Sequence, residues 1–191
     1  IGAVGSVLGL LVIPILSKWF NKKVIYQISL IATIVGYVLM YIFGPVLKMT
    51  IALDIAYIIS STGIAAMFVG QTVFLADIVD YGEFKNAERN ESITFSMKGF
   101  LQKMAYTIQT LVLFGGLAAM NYNEQITSAT KQINDTTKTG IGIICFAVPP
   151  VLILISLIVF TAKFKLHGDL ADQVHDHIVT KRASEAETNE Q

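Results

Sequence analysis

The sequence predicts an all-α membrane protein built from several spanning helices, and three observations carry that reading. Of 191 residues, 53% are hydrophobic and only 15% are charged, with a mean hydropathy of +0.61. A soluble domain usually carries about a quarter charged residues. The charges gather in short stretches between apolar runs, and the runs reach the roughly 20 residues that cross a bilayer as a helix. Those runs also lack the strict alternation that the segments of a membrane β-barrel require, about 10 residues each. Helices are then the way to satisfy every backbone N–H and C=O in lipid.

Five spans follow in chain order. The first, Ile1 to Ser17, opens in an apolar run with neither a charged leader nor a small-residue cleavage site, so it is not a signal peptide. A chain opening with Ile1 inside a hydrophobic run is expected to be the later part of a longer protein. The second span is Val24 to Phe43, the third Thr50 to Ala76, the fourth Ile93 to Met120 and the fifth Gly140 to Ala162. The third and fourth exceed the minimal crossing length, which predicts tilt or extension past the bilayer. Asn121 to Thr139 is a polar connection. From Lys163 onward, Leu166, Leu170, Val174 and Ile178 recur every four residues, with Asp169, Asp172, His175, Asp176 and His177 between them. That spacing predicts an amphipathic helix lying on the membrane surface. Ala183 to Gln191 is small, polar and acidic and reads as disordered. The expected organisation is a transmembrane half-bundle, residues 1–162, and a tail, residues 163–191.

Lysine and arginine set the orientation. Lys18, Lys22 and Lys23 lie in one connection, Lys85 and Arg89 in another, and Lys163, Lys165, Lys181 and Arg182 in the tail. The opposite side holds Lys48, Lys131 and Lys138. The positive-inside rule makes the first group, and with it the tail, cytoplasmic in the cell membrane. Trp19, Tyr37, Tyr41 and Tyr122 fall near span ends, where amphipathic rings favour the interface.

Composition also excludes classes. Fourteen basic and fourteen acidic residues balance to zero net charge, which gives a nucleic-acid partner no support. Cys145 is alone, within an apolar run, and reads as a small buried hydrophobe. No disulfide framework or metal spacing exists; His175 and His177, two apart, do not share a helix face. There is no nucleophile–base pair or phosphate loop, so an enzyme is not expected, and no cofactor is expected. Asn90-Glu91-Ser92 and Asn134-Asp135-Thr136 match the glycosylation pattern. The first is expected to be cytoplasmic, and the second matters only in a secretory-pathway protein.

Two segments carry chemistry. Asp77, Asp80, Glu83, Lys85, Glu88, Arg89 and Glu91 concentrate charge around Tyr81 and Gly82. Asp77 and Asp80 share a helix-end face with Tyr81, and Gly82 is expected to let the chain leave the helix. Such a segment serves either as a set of ion pairs made in one conformational state and broken in another, or as an ordinary solvated loop capping two helices. The other segment is the fourth span, where Lys103 lies about ten residues in. An ammonium there costs about 2.5 kcal/mol or more on insertion scales, and so calls for an acidic partner, a water-filled cavity or a polar ligand. Asp54 is the one acid within the spans, but it falls near the outer end of the third. Ser92, Ser96, Gly99, Lys103, Tyr106 and Thr110 form a stripe at helical spacing, with Lys98, Gln102 and Gln109 on an adjoining face. The third span offers Ser60, Gly63, Met67, Gly70 and Phe74, with Gln71 beside Gly70. Together the two spans line a polar cavity or pack closely through small residues; the glycines fit packing, and Gln71, Gln102 and Lys103 fit the cavity.

Ala76-Asp77-Ile78-Val79-Asp80-Tyr81-Gly82-Glu83-Phe84-Lys85, followed by Arg89-Asn90-Glu91-Ser92, closely resembles the connection between helices 10 and 11 of the glycoside–pentoside–hexuronide:cation symporters. The spacing from Glu91-Ser92 to Lys103 is similar to that family's, and Lys18-Trp19-Phe20-Asn21-Lys22-Lys23 resembles its basic connection between helices 8 and 9. The resemblance implies a major-facilitator-type helical bundle of twelve helices in two halves, of which this chain would hold about helices 8 to 12. It implies secondary active transport: symport of a sugar or glycoside with a monovalent cation, Na+ or H+, by alternating access. The cation site would be made chiefly by an N-terminal half of the same polypeptide, with Lys103 as its neighbour. Phe68 stands where melibiose permeases carry Trp, and with Gln71, Gly99, Gln102 and Lys103 it would face the substrate. Asp77, Asp80, Tyr81, Glu83, Arg89 and Glu91 would form the cytoplasmic gate. An uncoupled sugar facilitator and a non-transporting membrane receptor or scaffold are the alternatives.

Overall fold

The computed structural model describes residues 2–47, 49–86, 88–120, 135–164, 173–174 and 176–181. Among these there is no strand. The helices are α1 (Gly2–Leu16), α2 (Lys22–Tyr41), α3 (Thr50–Asn86), α4 (Glu91–Ala119), α5 (Asp135–Gly142) and α6 (Val148–Lys163). Residues 176–181 are again helical. Two π-helical turns adjoin them: Ile42–Val46 prolongs α2, and Ile143–Ala147 joins α5 to α6. Proline explains both. Pro45 has no N–H to give the carbonyl one turn back, and the chain widens, with Leu47 N–H donating to the Ile42 carbonyl at 2.9 Å. Pro149 and Pro150 likewise withhold donors from carbonyls within Ile143–Ala147.

Three helical stretches are long and apolar enough to cross a membrane: Lys22–Gly44, Thr50–Asn86 and Thr137–Lys163. α1 is apolar but short. α4 has the length, at 29 residues, but its Ser, Thr, Gln and Lys positions keep it outside that set.

The largest departure from the sequence expectation is α3. It does not end near Ala76 but continues through Gly82 to Asn86, 37 residues in all. Nothing lies within 4 Å of the position a Cβ would take at Gly82, so here the glycine neither ends the helix nor marks a close approach. At 1.5 Å per residue α3 is about 55 Å long, against roughly 30 Å of hydrocarbon. Its charged last stretch, residues 77–86, therefore projects beyond the bilayer. The connection expected over 77–92 shrinks to the few residues between α3 and α4.

Packing centres on α3, which lies along both α1 and α2, while α6 packs against α2 and α4 touches α3 lightly. Small residues permit the α2–α3 contact. A Cβ on Gly36 would sit 2.7 Å from Ser60, and one on Gly63 would sit 2.8 Å from the Ser29 carbonyl. Thr33 and Ser60 are fully buried between these helices, with the Thr33 hydroxyl satisfied by the Ser29 carbonyl at 2.8 Å. The Ser60, Gly63, Met67, Gly70 and Phe74 stripe thus faces α2. Toward the basic end, Tyr26, Phe74, Phe160 and Phe164 form an aromatic cluster with ring centroids 4.7–5.3 Å apart, packed around buried Leu30.

Cys145 is a correction: it is exposed on the helix surface, because its apolar surroundings are the outside of a membrane bundle and not a protein core. The Asn121–Asn134 part of the polar connection, with Tyr122 and Asn134, lies outside the described residues. So do Leu166, Leu170, His175 and the Ala183–Gln191 stretch.

Candidate functional site

α4 decides where the chemistry sits. None of its residues is buried, although it is flanked by spans that bury small residues. A helix of mixed polarity with no buried residue has spent its sequence on two open faces. One borders a groove of about 760 Å³ against α3, lined by Phe68 and Gln71 from α3 and by Thr94, Lys98, Gln102 and Tyr106 from α4, with apolar Leu75, Met97 and Leu101 between them. Lys98 Nζ donates across it to Thr72 Oγ1 at 3.2 Å. Gln102 Nε2 donates to the Tyr106 hydroxyl at 3.0 Å, one turn on. The second face carries Ser92 and Ser96 beside Phe100, around a shallower hollow of about 480 Å³.

The expected site residues divide between these faces. Phe68, Gln71 and Gln102 come together in the groove. Lys103 and Gly99 do not line it; one residue on a helix is a turn of about 100°, which carries Lys103 away from Gln102. Gly99 has nothing within 4 Å of its Cβ direction. Tyr106 joins the Lys98 and Gln102 face, not the Lys103 stripe in which spacing had placed it. Lys98 and Thr94 complete the groove. Their signal was in the sequence, in the i, i+4, i+8 series Thr94, Lys98, Gln102, which runs beside the stripe that holds Lys103. Among the described residues Lys103 makes no ion pair, and Asp54 does not reach it.

The charged end resolves into two assemblies. Asp77 accepts from Lys22 Nζ at 3.0 and 3.1 Å, tying the end of α3 to the start of α2. Lys23 Nζ reaches the Phe164 carbonyl at 3.0 Å, where a cation suits a helix C-terminus. The second assembly surrounds Glu83, whose side chain is only 7% exposed. Arg89 bonds Glu83 at 3.2 Å, Asp80 at 3.4 Å and Glu91 at 2.9 Å. Lys181 Nζ, from the tail, reaches the other Glu83 oxygen at 2.7 Å. His177 stacks edge-on against Phe84 at 5.1 Å, and Val174 and Ile178 are buried. Tyr81 is half-buried alongside. The tail helix therefore docks on the projecting end of α3. Beyond the bilayer, Lys181 foremost holds the Glu83 carboxyl below its usual range, burial opposes this, and Arg89 adds to it. Arg89 is held above its usual value chiefly by Glu91, against burial, and further by Glu83.

These features have relatives. Residues 1–167 match the family model described as MFS/sugar transport protein. The chain is 28% identical over 181 residues to an uncharacterised symporter, YjmB, of Bacillus subtilis (strain 168), covering 91% of this chain and 35% of the relative. It is 24% identical over 197 residues to a lactose permease of Leuconostoc lactis, covering 98% of this chain and 30% of that one. A lactose permease of Lactobacillus helveticus is 23% identical over 189 residues, 96% of this chain and 28% of its own length. The chain thus spans about a third of the length of the curated relatives it matches. Family and relatives are transporters and not enzymes, in keeping with the resemblance to the glycoside–pentoside–hexuronide symporters. With residues 1–167 matched, the chain belongs to the MFS/sugar transport protein family.

Proposed function

We propose that the transporter containing this chain carries a sugar or glycoside across the cell membrane in symport with a monovalent cation, Na+ or H+, by alternating access. The observation that carries this is α4: a spanning-length helix with no buried residue, carrying Lys98, Gln102 and Lys103, beside an open groove. Polar and ionisable groups at that depth belong to a substrate or ion path. Relatives named as a symporter and as lactose permeases supply the reaction class. Phe68 offers an aromatic face to a sugar ring, and Gln71 and Gln102 offer donors and acceptors to its hydroxyls. Lys103 and Gly99, on the second face, meet the N-terminal half of the polypeptide, where Lys103 neighbours the cation site. Binding of the cation neutralises carboxylates there and favours sugar between the halves, which then rock to expose the site to the other side.

The basic end is the cytoplasmic one. Asp77, Asp80, Tyr81, Glu83, Arg89 and Glu91 serve as the gate on that side, and residues 163–191 form a cytoplasmic tail beside the membrane domain, residues 1–162. The test is uptake of labelled lactose and of a panel of monosaccharides by the full-length protein in proteoliposomes. Accumulation driven by an imposed sodium or proton gradient is expected. Equilibration without accumulation identifies an uncoupled facilitator, and no uptake of any sugar leaves a receptor or scaffold.

A further inference from the structure

Two neighbouring residues of α3 face different ways. Gly70 faces α2: a Cβ there would come 2.6 Å from the Tyr26 ring. Gln71 faces the groove, in the wall it shares with Phe68 and Gln102. One residue turns a helix by about 100°, so a group resting on Gly70 reaches round to Gln71. Tyr26 is that group, and its side chain hydrogen-bonds that of Gln71. The bare Cα of Gly70 lets the ring lie against the backbone.

The ring is itself fixed. Tyr26 is 8% exposed. Phe74 meets it edge-on with centroids 5.2 Å apart, and Phe160 lies at 4.7 Å. Its apolar body is thus packed, and its polar tip takes a partner, as a buried tyrosine requires. That partner is an exposed side chain on the groove wall. A glutamine has several soft torsions, and freezing them when a ligand binds is costly. A partner that already holds the amide removes that cost. An amide carries one carbonyl and one NH2 group; with one end tied to the phenol, the other is left for the groove. We infer that Tyr26 is a positioning residue, which acts from α2 through Gln71 to set the hydrogen-bonding group that a sugar hydroxyl meets in the groove. No residue of α2 lines that groove, so the effect passes through Gln71. The inference rests on the transport reading above and deepens it.

The test measures KM and Vmax for uptake of lactose, D-galactose, D-glucose and D-xylose by the full-length transporter in proteoliposomes, together with thermal unfolding in detergent. Tyr26→Phe keeps the ring and removes the hydroxyl. For the sugars carried, it is expected to raise KM about fivefold, the scale of one neutral hydrogen bond, with Vmax within about twofold and the unfolding temperature close to that of the wild type. Gln71→Ala is expected to raise KM at least as much. Adding Tyr26→Phe to Gln71→Ala should then change KM by less than about twofold, because the phenol has nothing left to hold. Effects of the two substitutions that multiply in full overturn the inference while transport stands. So does a Tyr26→Phe variant with unchanged KM, or one whose loss lies in unfolding temperature and Vmax alone. A protein that carries none of the four sugars overturns the transport reading and the inference together.

Discussion

Glu83 joins two cations from separate parts of the chain, Arg89 before α4 and Lys181 in the tail. Its carboxyl is held below the usual range, so the contribution to docking is present at neutral pH. It is lost as pH falls below the ordinary glutamate value of about 4.3 and through the lower folded value. Phe84→Cys with His177→Cys, in a background without Cys145, is expected to crosslink efficiently at pH 7 with a short bifunctional thiol reagent. Adding Glu83→Gln should cut the yield several-fold. Crosslinking carried out in acid, with a bifunctional pyridyl disulfide that reacts with thiols at low pH, should lower the yield of the parent pair and not that of the Gln variant. Equal yields in all arms would mean that the tail docks by its apolar face alone. Lys103 differs, having no ion pair among the described residues. Lys103→Ala is expected to abolish accumulation of sugar against a gradient while the protein still reaches the membrane. A variant that concentrates sugar normally removes Lys103 from the cation site.

At the scale of elements, α3 shows how one helix serves as wall, spine and outer post. Its middle packs on α2 where Gly36 and Gly63 let the backbones approach; its end carries the ion pairs. Gly63→Val forces methyl groups against Thr33 and the Ser29 carbonyl, and overpacking of this kind typically costs about 1–3 kcal/mol. A clear drop in thermal unfolding temperature in detergent is the expected reading. Gly82→Ala is the opposite case, since the helix runs through an open position. It should be neutral or stabilising by up to about 1 kcal/mol, the helix-propensity difference. If Gly82→Ala destabilises strongly, residue 82 bends in some state of the cycle and the continuous helix is only one of its forms.

Across the whole molecule the bundle is lopsided. α1, α2, α3 and α6 bury one another's small and aromatic residues, while α4 stands at one side with both long faces open. α6 is exposed too, but with Leu152 and Ile155 at the surface, which suits lipid. Cysteines placed singly at Ser96 and Gly99 in the full-length transporter are expected to react with a membrane-impermeant thiol reagent, and substrate should slow the reaction. Cysteines at Leu152 and Ile155 should stay unreactive. Reaction at all four, or at none, would contradict a water-filled path along α4 opposite a lipid-facing α6.

Much of this was legible in residue order. Apolar runs of spanning length and segregated charge determined a helical membrane protein, because lipid leaves the backbone no other way to satisfy its hydrogen bonds. The charged motif from Asp77 to Glu91 marked the family, and the depth of polar residues marked α4 as the helix of interest. The tertiary structure decided the rest. It decided that α3 runs on to Asn86, since the charged tail and Arg89 supply partners that a lone glycine cannot overrule. It divided one acidic motif into two ion-pair assemblies, because partners such as Lys22 and Lys181 lie 55 and 98 residues away in the chain. It also placed Lys98 and Tyr106 with Gln102 in the groove and turned Lys103 outward. Spacing defines a helix's faces, but only the neighbouring helix determines which face is covered.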